Sequence, residues 1–89
     1  MEYIKEQNRV YVKDKDTIIG EVSFPEQNGI FIINHTYVDP NYRGMHIADN
    51  LLKNAVEIIE TQKKQCKVTC SYAKKWFQKH PEKQNIIKK

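Results

Sequence analysis

Apolar and polar positions alternate along the first third of the chain and then change to a helical period. In residues 3–13 (YIKEQNRVYVK), Val10 and Val12 alternate with Arg9, Tyr11 and Lys13, the two-residue period of a half-buried strand. The stretch KDKD at 13–16 reads as a turn. Residues 17–24 (TIIGEVSF) predict a second strand with Ile18, Val22 and Phe24 on one face. Pro25 ends it, and Asn28-Gly29 is a strong turn signal. Residues 30–38 (IFIINHTYV) are apolar on both faces at their start, which suits a central strand covered on both sides. The first 38 residues therefore predict an antiparallel three-stranded meander.

Asp39-Pro40 stops the third strand. Apolar residues then fall at 47, 48, 51, 52, 55, 58 and 59, the spacing of an amphipathic helix running to about Thr61. Lysines at 63, 64 and 67 follow its end, where positive charge suits the helix dipole. Residues 66–71 (CKVTCS) alternate again, with Cys66, Val68 and Cys70 on one side, and predict a fourth strand. A right-handed crossover through the helix would pair it parallel to the third. Residues 72–79 (YAKKWFQK) predict a short helix anchored by Trp76 and Phe77 and ended by Pro81. The fold expected is α+β, in the order β-β-β-α-β-α, as a single domain over residues 1–89.

With 89 residues the chain has room for one modest core, and 39% apolar with 29% charged residues is a globular rather than a disordered composition. No stretch approaches the ~20 apolar residues of a membrane span. The polar start MEYIKEQNRV is unlike a secretory signal, so a cytoplasmic location is expected. Cys66 and Cys70, four steps of ~3.3 Å apart on a strand, would be too distant for a disulfide and are expected as free thiols. His35, His46 and His80 show no ligand spacing, and no metal is expected. Charge is uneven. Residues 1–60 hold six Lys/Arg and ten Asp/Glu, whereas residues 61–89 hold nine Lys and one acid, Glu82. A basic C-terminal third fits either an anionic partner or a plain solvated surface.

Residues 42–52 (YRGMHIADNLL) carry the clearest chemistry. First-turn N–H groups of a helix lack intrahelical partners, and the dipole adds positive charge there. Gly44 permits close backbone approach and Arg43 adds a fork of donors. A pyrophosphate fits this arrangement, and so does an ordinary helix start with a glycine before it.

Together with the β-β-β-α-β-α order, R-G-M-H-I-A at 43–48 resembles the acetyl-CoA-dependent N-acetyltransferases of the GNAT superfamily. HTYVDPNYRGMHIADNLL at 35–52 and TCSYAKKWFQKHPE at 69–82 resemble, more closely, its short single-domain members of about 90–100 residues. The resemblance implies that the backbone around Tyr37 and Val38 pairs with the pantetheine amides of coenzyme A. It implies that the N–H groups of Arg43, Gly44, Met45, His46, Ile47 and Ala48 cradle the pyrophosphate. It also implies that Cys70 and Tyr72 lie near the thioester. From charge, Lys74 and Lys75 are assigned to the 3′-phosphate or adenine end. His46 stands where the family pattern has glycine, and an ordinary right-handed backbone is expected there. Tyr37 stands where these short proteins often carry Glu.

Acetyl transfer to an amine needs a base, an oxyanion donor and a protonated leaving group. His35 is the base candidate, or a packed strand histidine. Cys70 is a candidate nucleophile, or a small buried hydrophobe. Tyr72 is the candidate proton donor, or a packed aromatic. The function expected is transfer of acetyl from acetyl-CoA to an amine, on a small molecule or a protein lysine. A CoA-binding module of the same fold without efficient turnover is the alternative. A nucleic-acid binder fits less well, because Tyr72, Trp76 and Phe77 suit helix packing better than a stacking platform.

Overall fold

The apolar stripe of residues 47–59 must be covered, and a sheet covers it. In the computed structural model, which describes residues 1–88, Ile47, Leu51, Leu52, Ala55, Val56 and Ile59 are buried, and they share one core with Val10, Val12, Ile19 and Val22. The elements are β1 (Glu2–Lys5), β2 (Arg9–Asp14), β3 (Thr17–Ser23), β4 (Glu26–Gln27), β5 (Ile30–Ile33), β6 (His35–Val38), α1 (Ile47–Thr61), β7 (Cys66–Val68) and α2 (Ser71–Gln78). Short 3₁₀ turns cover Pro40–Tyr42 and Pro81–Ile86. The α+β class and the helical crossover to a parallel strand are as expected. Among the described residues, no helix is long and apolar enough to cross a membrane.

The strands form two sheets, ordered β1-β2-β3-β6 and β4-β5-β7. This splits the expected third strand. β5 pairs parallel with β7, Phe31 opposite Cys66 and Ile33 opposite Val68. β6 pairs antiparallel with β3, Val38 opposite Gly20 and Tyr37 opposite Glu21. The break is at Asn34, whose backbone N–H and side-chain Oδ1 are both engaged by Ser23. The chain thus passes from one sheet to the other over a single residue.

Three further expectations are corrected. Residues 3–13 form two strands, because Glu6–Asn8 turn the chain and the Glu6 N–H donates to the Arg9 carbonyl at 2.8 Å. The β2–β3 register shifts after Val12, from Val12↔Gly20 to Lys13↔Ile18. Ile19 is thereby left as the extra residue of a β-bulge. Ile19 rather than Ile18 enters the core, and Ile18 stays 38% exposed. The fourth strand stops at Val68, because the N–H groups of Thr69 and Cys70 both converge on the Ile33 carbonyl. Cys70 becomes the N-cap of α2 instead of sharing a strand face with Cys66. The Asn28-Gly29 turn forms as expected, both residues having positive φ (55° and 81°) between β4 and β5, the type I′ pattern.

Two backbone positions set how α1 meets the sheet. Gly20 lies under its first turns, where an added Cβ would come within 3.1 Å of Val12 and 3.2 Å of Ile47 and Leu51. His46, the N-cap of α1, is left-handed at φ 59°, ψ 24° with no side-chain cap bond, and Gly44 before it has φ 85°. The right-handed backbone expected at His46 is therefore not adopted. Glycine would adopt this left-handed conformation freely, whereas histidine meets it under strain.

Gly20→Val is expected to destabilise the fold by about 1–3 kcal/mol through overpacking, read as a lower denaturation midpoint with unchanged m-value. Left-handed backbone costs a side-chain-bearing residue about 1–2 kcal/mol, and glycine's entropy returns about 0.5–1 kcal/mol of that. His46→Gly is therefore expected to stabilise the protein by about 0.5–1 kcal/mol in equilibrium unfolding.

Candidate functional site

Parting β6 from β7 opens a cleft of about 840 Å³. Its floor is β6, through Thr36 and Val38; one wall is the loop and first turn of α1, and the other is α2. Along an antiparallel ladder the backbone polar groups point alternately toward and away from the partner. The Asp39 N–H donates to Ile19 O at 2.7 Å, so the polar groups of Tyr37 face β3 and those of Thr36 and Val38 face the cleft. They have no partner strand there, because β6 is the edge of its sheet.

The loop wall is fixed from both ends. The Asp39 carboxylate accepts from the Asn41 N–H at 2.9 Å and so caps the turn after Pro40. The Tyr42 hydroxyl donates to Asp14 Oδ2 at 2.6 Å, tying the loop to the end of β2. That hydrogen bond, then burial and the charges of Asp14 and Asp39, push the Tyr42 phenol above its ordinary range. Arg43, Gly44, His46, Ile47 and Ala48 line the cleft beyond it, while Met45 is 49% exposed and does not. The N–H groups of the first turn of α1 lack intrahelical partners.

The second wall is one face of α2, carrying Tyr72, Lys75, Trp76 and Lys79, with His80 just beyond its end. Trp76 is buried as expected of a core anchor, yet its indole N–H also donates to Asp49 Oδ1 at 2.6 Å. His80 stacks on Trp76 with ring centroids 4.0 Å apart. Its Nδ1 lies 2.8 Å from the Trp76 carbonyl, which can only accept, so Nδ1 carries the proton. Nε2 then faces Asp49 Oδ1 at 3.8 Å. The carboxylate in the first turn of α1 is thus held against α2 rather than left free in the cleft.

Cys70 lies at the junction of floor and wall, its Sγ 3.6 Å from Thr36 Oγ1. Burial acts to raise its pKa, but the N–H of Ala73, the Thr36 hydroxyl and the N–H groups of Tyr72 and Thr36 outweigh it and hold the thiol below the usual range. Cys66 has no such donors, and burial pushes it to about 11. Both thiols are free.

The structure therefore gathers Val38, Arg43, Gly44, His46, Ile47, Ala48, Tyr72 and Lys75 around one cleft, with Cys70 at its corner. His35 and Tyr37 alternate to the opposite face of β6, with exposed side chains. Lys74 lines a separate groove on the other side of α2. Thr36, Tyr42, Asp49, Trp76, Lys79 and His80 also line the cleft and were not among the sequence candidates. The spacing 72, 75, 76, 79, 80 is one helical face and would have pointed to three of them, Trp76, Lys79 and His80. Among the described residues, no group of three or more His, Cys, Asp or Glu is placed to hold a metal ion.

Comparison with known proteins agrees with this fold. The solution NMR structure of a GCN5-like protein of Staphylococcus aureus, proposed to be an N-acetyltransferase, is similar at a TM-score of 0.78 and 25% identity. The similarity covers 98% of this chain and 87% of that one. No protein of curated function matches. The GCN5-related N-acetyl-transferase family profile matches residues 7–86, almost the whole sheet, cleft and both helices. The chain belongs to the GCN5-related N-acetyltransferase family.

Proposed function

We propose that the cleft binds acetyl-CoA and that the protein transfers its acetyl group to an amine on a small molecule or a protein lysine. The observation that carries this reading is the unpaired edge of β6, facing a helix N-terminus across the cleft. The Thr36 and Val38 polar groups suit the amides of an extended pantetheine arm, as an added strand would. The N–H groups of residues 44–48, with the side chains of Arg43, Lys75 and Lys79 lining the same space, suit a pyrophosphate, while the Arg43 N–H is given to the Pro40 carbonyl. Lys79 replaces Lys74 in this reading, since Lys74 faces away from the cleft. The Asp49 charge is compatible with a bound anion because the Trp76 indole N–H donates to it and holds it against α2.

Bound acetyl-CoA would supply an activated acetyl thioester. The chain's part is to place a donor, an acid and a route for the amine. An unpaired N–H on β6 is the oxyanion donor. The Tyr72 phenol lines the cleft at the first turn of α2 and is the proton donor for a departing thiolate. The Cys70 thiol, lowered in pKa, carries more thiolate at neutral pH than an ordinary cysteine and is the nucleophile of a covalent route. In direct transfer the amine reaches the splay from the outer face of β6, where His35 stands as base.

One observation favours the second reading, a module that binds acyl-CoA with little turnover. Among the described residues lining the cleft, Asp49 is the one carboxylate, and Trp76 holds it. Binding without release of free CoA in the presence of amines would select that reading.

Calorimetry with acetyl-CoA is expected to show one site per chain, weakened at least about tenfold, or 1.4 kcal/mol, by Arg43→Glu. An absence of heat at millimolar ligand would overturn both readings. Alkylation by iodoacetamide is expected to label Cys70 in the native protein with a midpoint at lower pH than an ordinary cysteine, and to leave Cys66 unlabelled until unfolding. Peptide mass spectrometry across a pH series reads both. Equal labelling of the two thiols at neutral pH would contradict it.

A further inference from the structure

The lysines of the basic C-terminal third do not all face the cleft. Helix α2 divides them: Lys75 and Lys79 line the cleft, whereas Lys67, Lys74 and Lys88 border a second groove of about 470 Å³ on its other side. Lys64 and Lys83 are neutralised by Glu26 and Glu60. Among the described residues, none of the three groove lysines is in an ion pair. All three are exposed. The groove between them is not polar throughout. Val68 and Ile87, both half-buried and packed against the core, line it.

Three unpaired ammonium groups around an apolar strip are complementary to carboxylates around an apolar side chain. Bases are a poorer match, because the one aromatic lining the groove, Phe77, is 3% exposed and offers no face for stacking. We propose that this groove docks an acidic peptide segment of a partner protein. Its carboxylates face Lys67, Lys74 and Lys88, and one apolar side chain sits on Val68 and Ile87. The groove and the cleft lie on opposite sides of α2, so this docking does not depend on the acetyl-CoA reading.

The test is fluorescence polarisation of a labelled Glu-rich peptide with one central leucine, titrated with the intact protein at low and moderate salt. Saturable binding that weakens with salt is expected. Lys67→Glu/Lys74→Glu should weaken it at least about tenfold, and Lys75→Glu/Lys79→Glu less than about twofold. Replacing the leucine by serine should weaken it severalfold. Because the substituted lysines are exposed, thermal melts should be unchanged; if the double variant melts early, Lys88→Glu alone carries the comparison. An absence of binding would overturn the proposal. So would equal losses from the two lysine pairs, indifference to the leucine, or tighter binding of a single-stranded oligonucleotide at the same groove.

Discussion

The parting of one strand between two sheets at Asn34 governs the rest of the molecule. A continuous strand from Ile30 to Val38 would pair β3 on one side and β7 on the other, and would leave no cleft. Instead β5 keeps β7 and β6 keeps β3. Thr69 and Cys70 then crowd onto the Ile33 carbonyl, ending β7 just where the sheets diverge. The backbone groups this frees on β6 are the kind of buried-edge polarity that a fold tolerates when a ligand or water satisfies it. The helix N-terminus across the gap is a second unsatisfied edge, of the sign that attracts anions. Backbone donors without a strand or helix partner thus face the same space from both sides, without any catalytic side chain being needed to define it.

The same parting explains how the side chains are arranged. Since β7 is only three residues long, α2 begins immediately after it and lies against the first turn of α1 through Trp76 and Asp49. That hydrogen bond joins the two walls of the cleft, and His80 stacks on the same indole. They also leave α2 with two outward faces, each carrying positive charge. The acidic N-terminal sixty residues and the basic remainder are therefore not a simple polarity of the molecule. The basic part is itself split, one share facing the cleft and the other facing away.

Much of this was legible in the sequence. The apolar spacing from Ile47, the Asn28-Gly29 turn and the glycine before α1 each have a local physical cause, and each appears where the pattern put it. The features missed are those with non-local causes. The Val12–Lys13 bulge, which exchanges Ile18 for Ile19 in the core, is a property of strand pairing rather than of either strand. The strand break at Asn34 lies within an apolar run that reads as uninterrupted β structure. The left-handed His46 was hidden because the helical period begins at Ile47 and says nothing of the residue before it. Lys74 and Lys75 are neighbours in sequence, and only the rotation of α2 separates their surroundings. Trp76 is a core anchor by composition, and its cleft-facing N–H depends on Asp49, 27 residues earlier.

The central claim is that the unpaired edge of β6 is the ligand's docking strand. Residue-resolved amide hydrogen exchange with and without acetyl-CoA tests it most directly. Strong added protection at the Val38 amide and along residues 44–48, with little change at Tyr37, whose N–H already faces β3, is the predicted result. Binding that protects the α2 groove or β1 instead, and leaves Val38 exchanging as in the free protein, would contradict it.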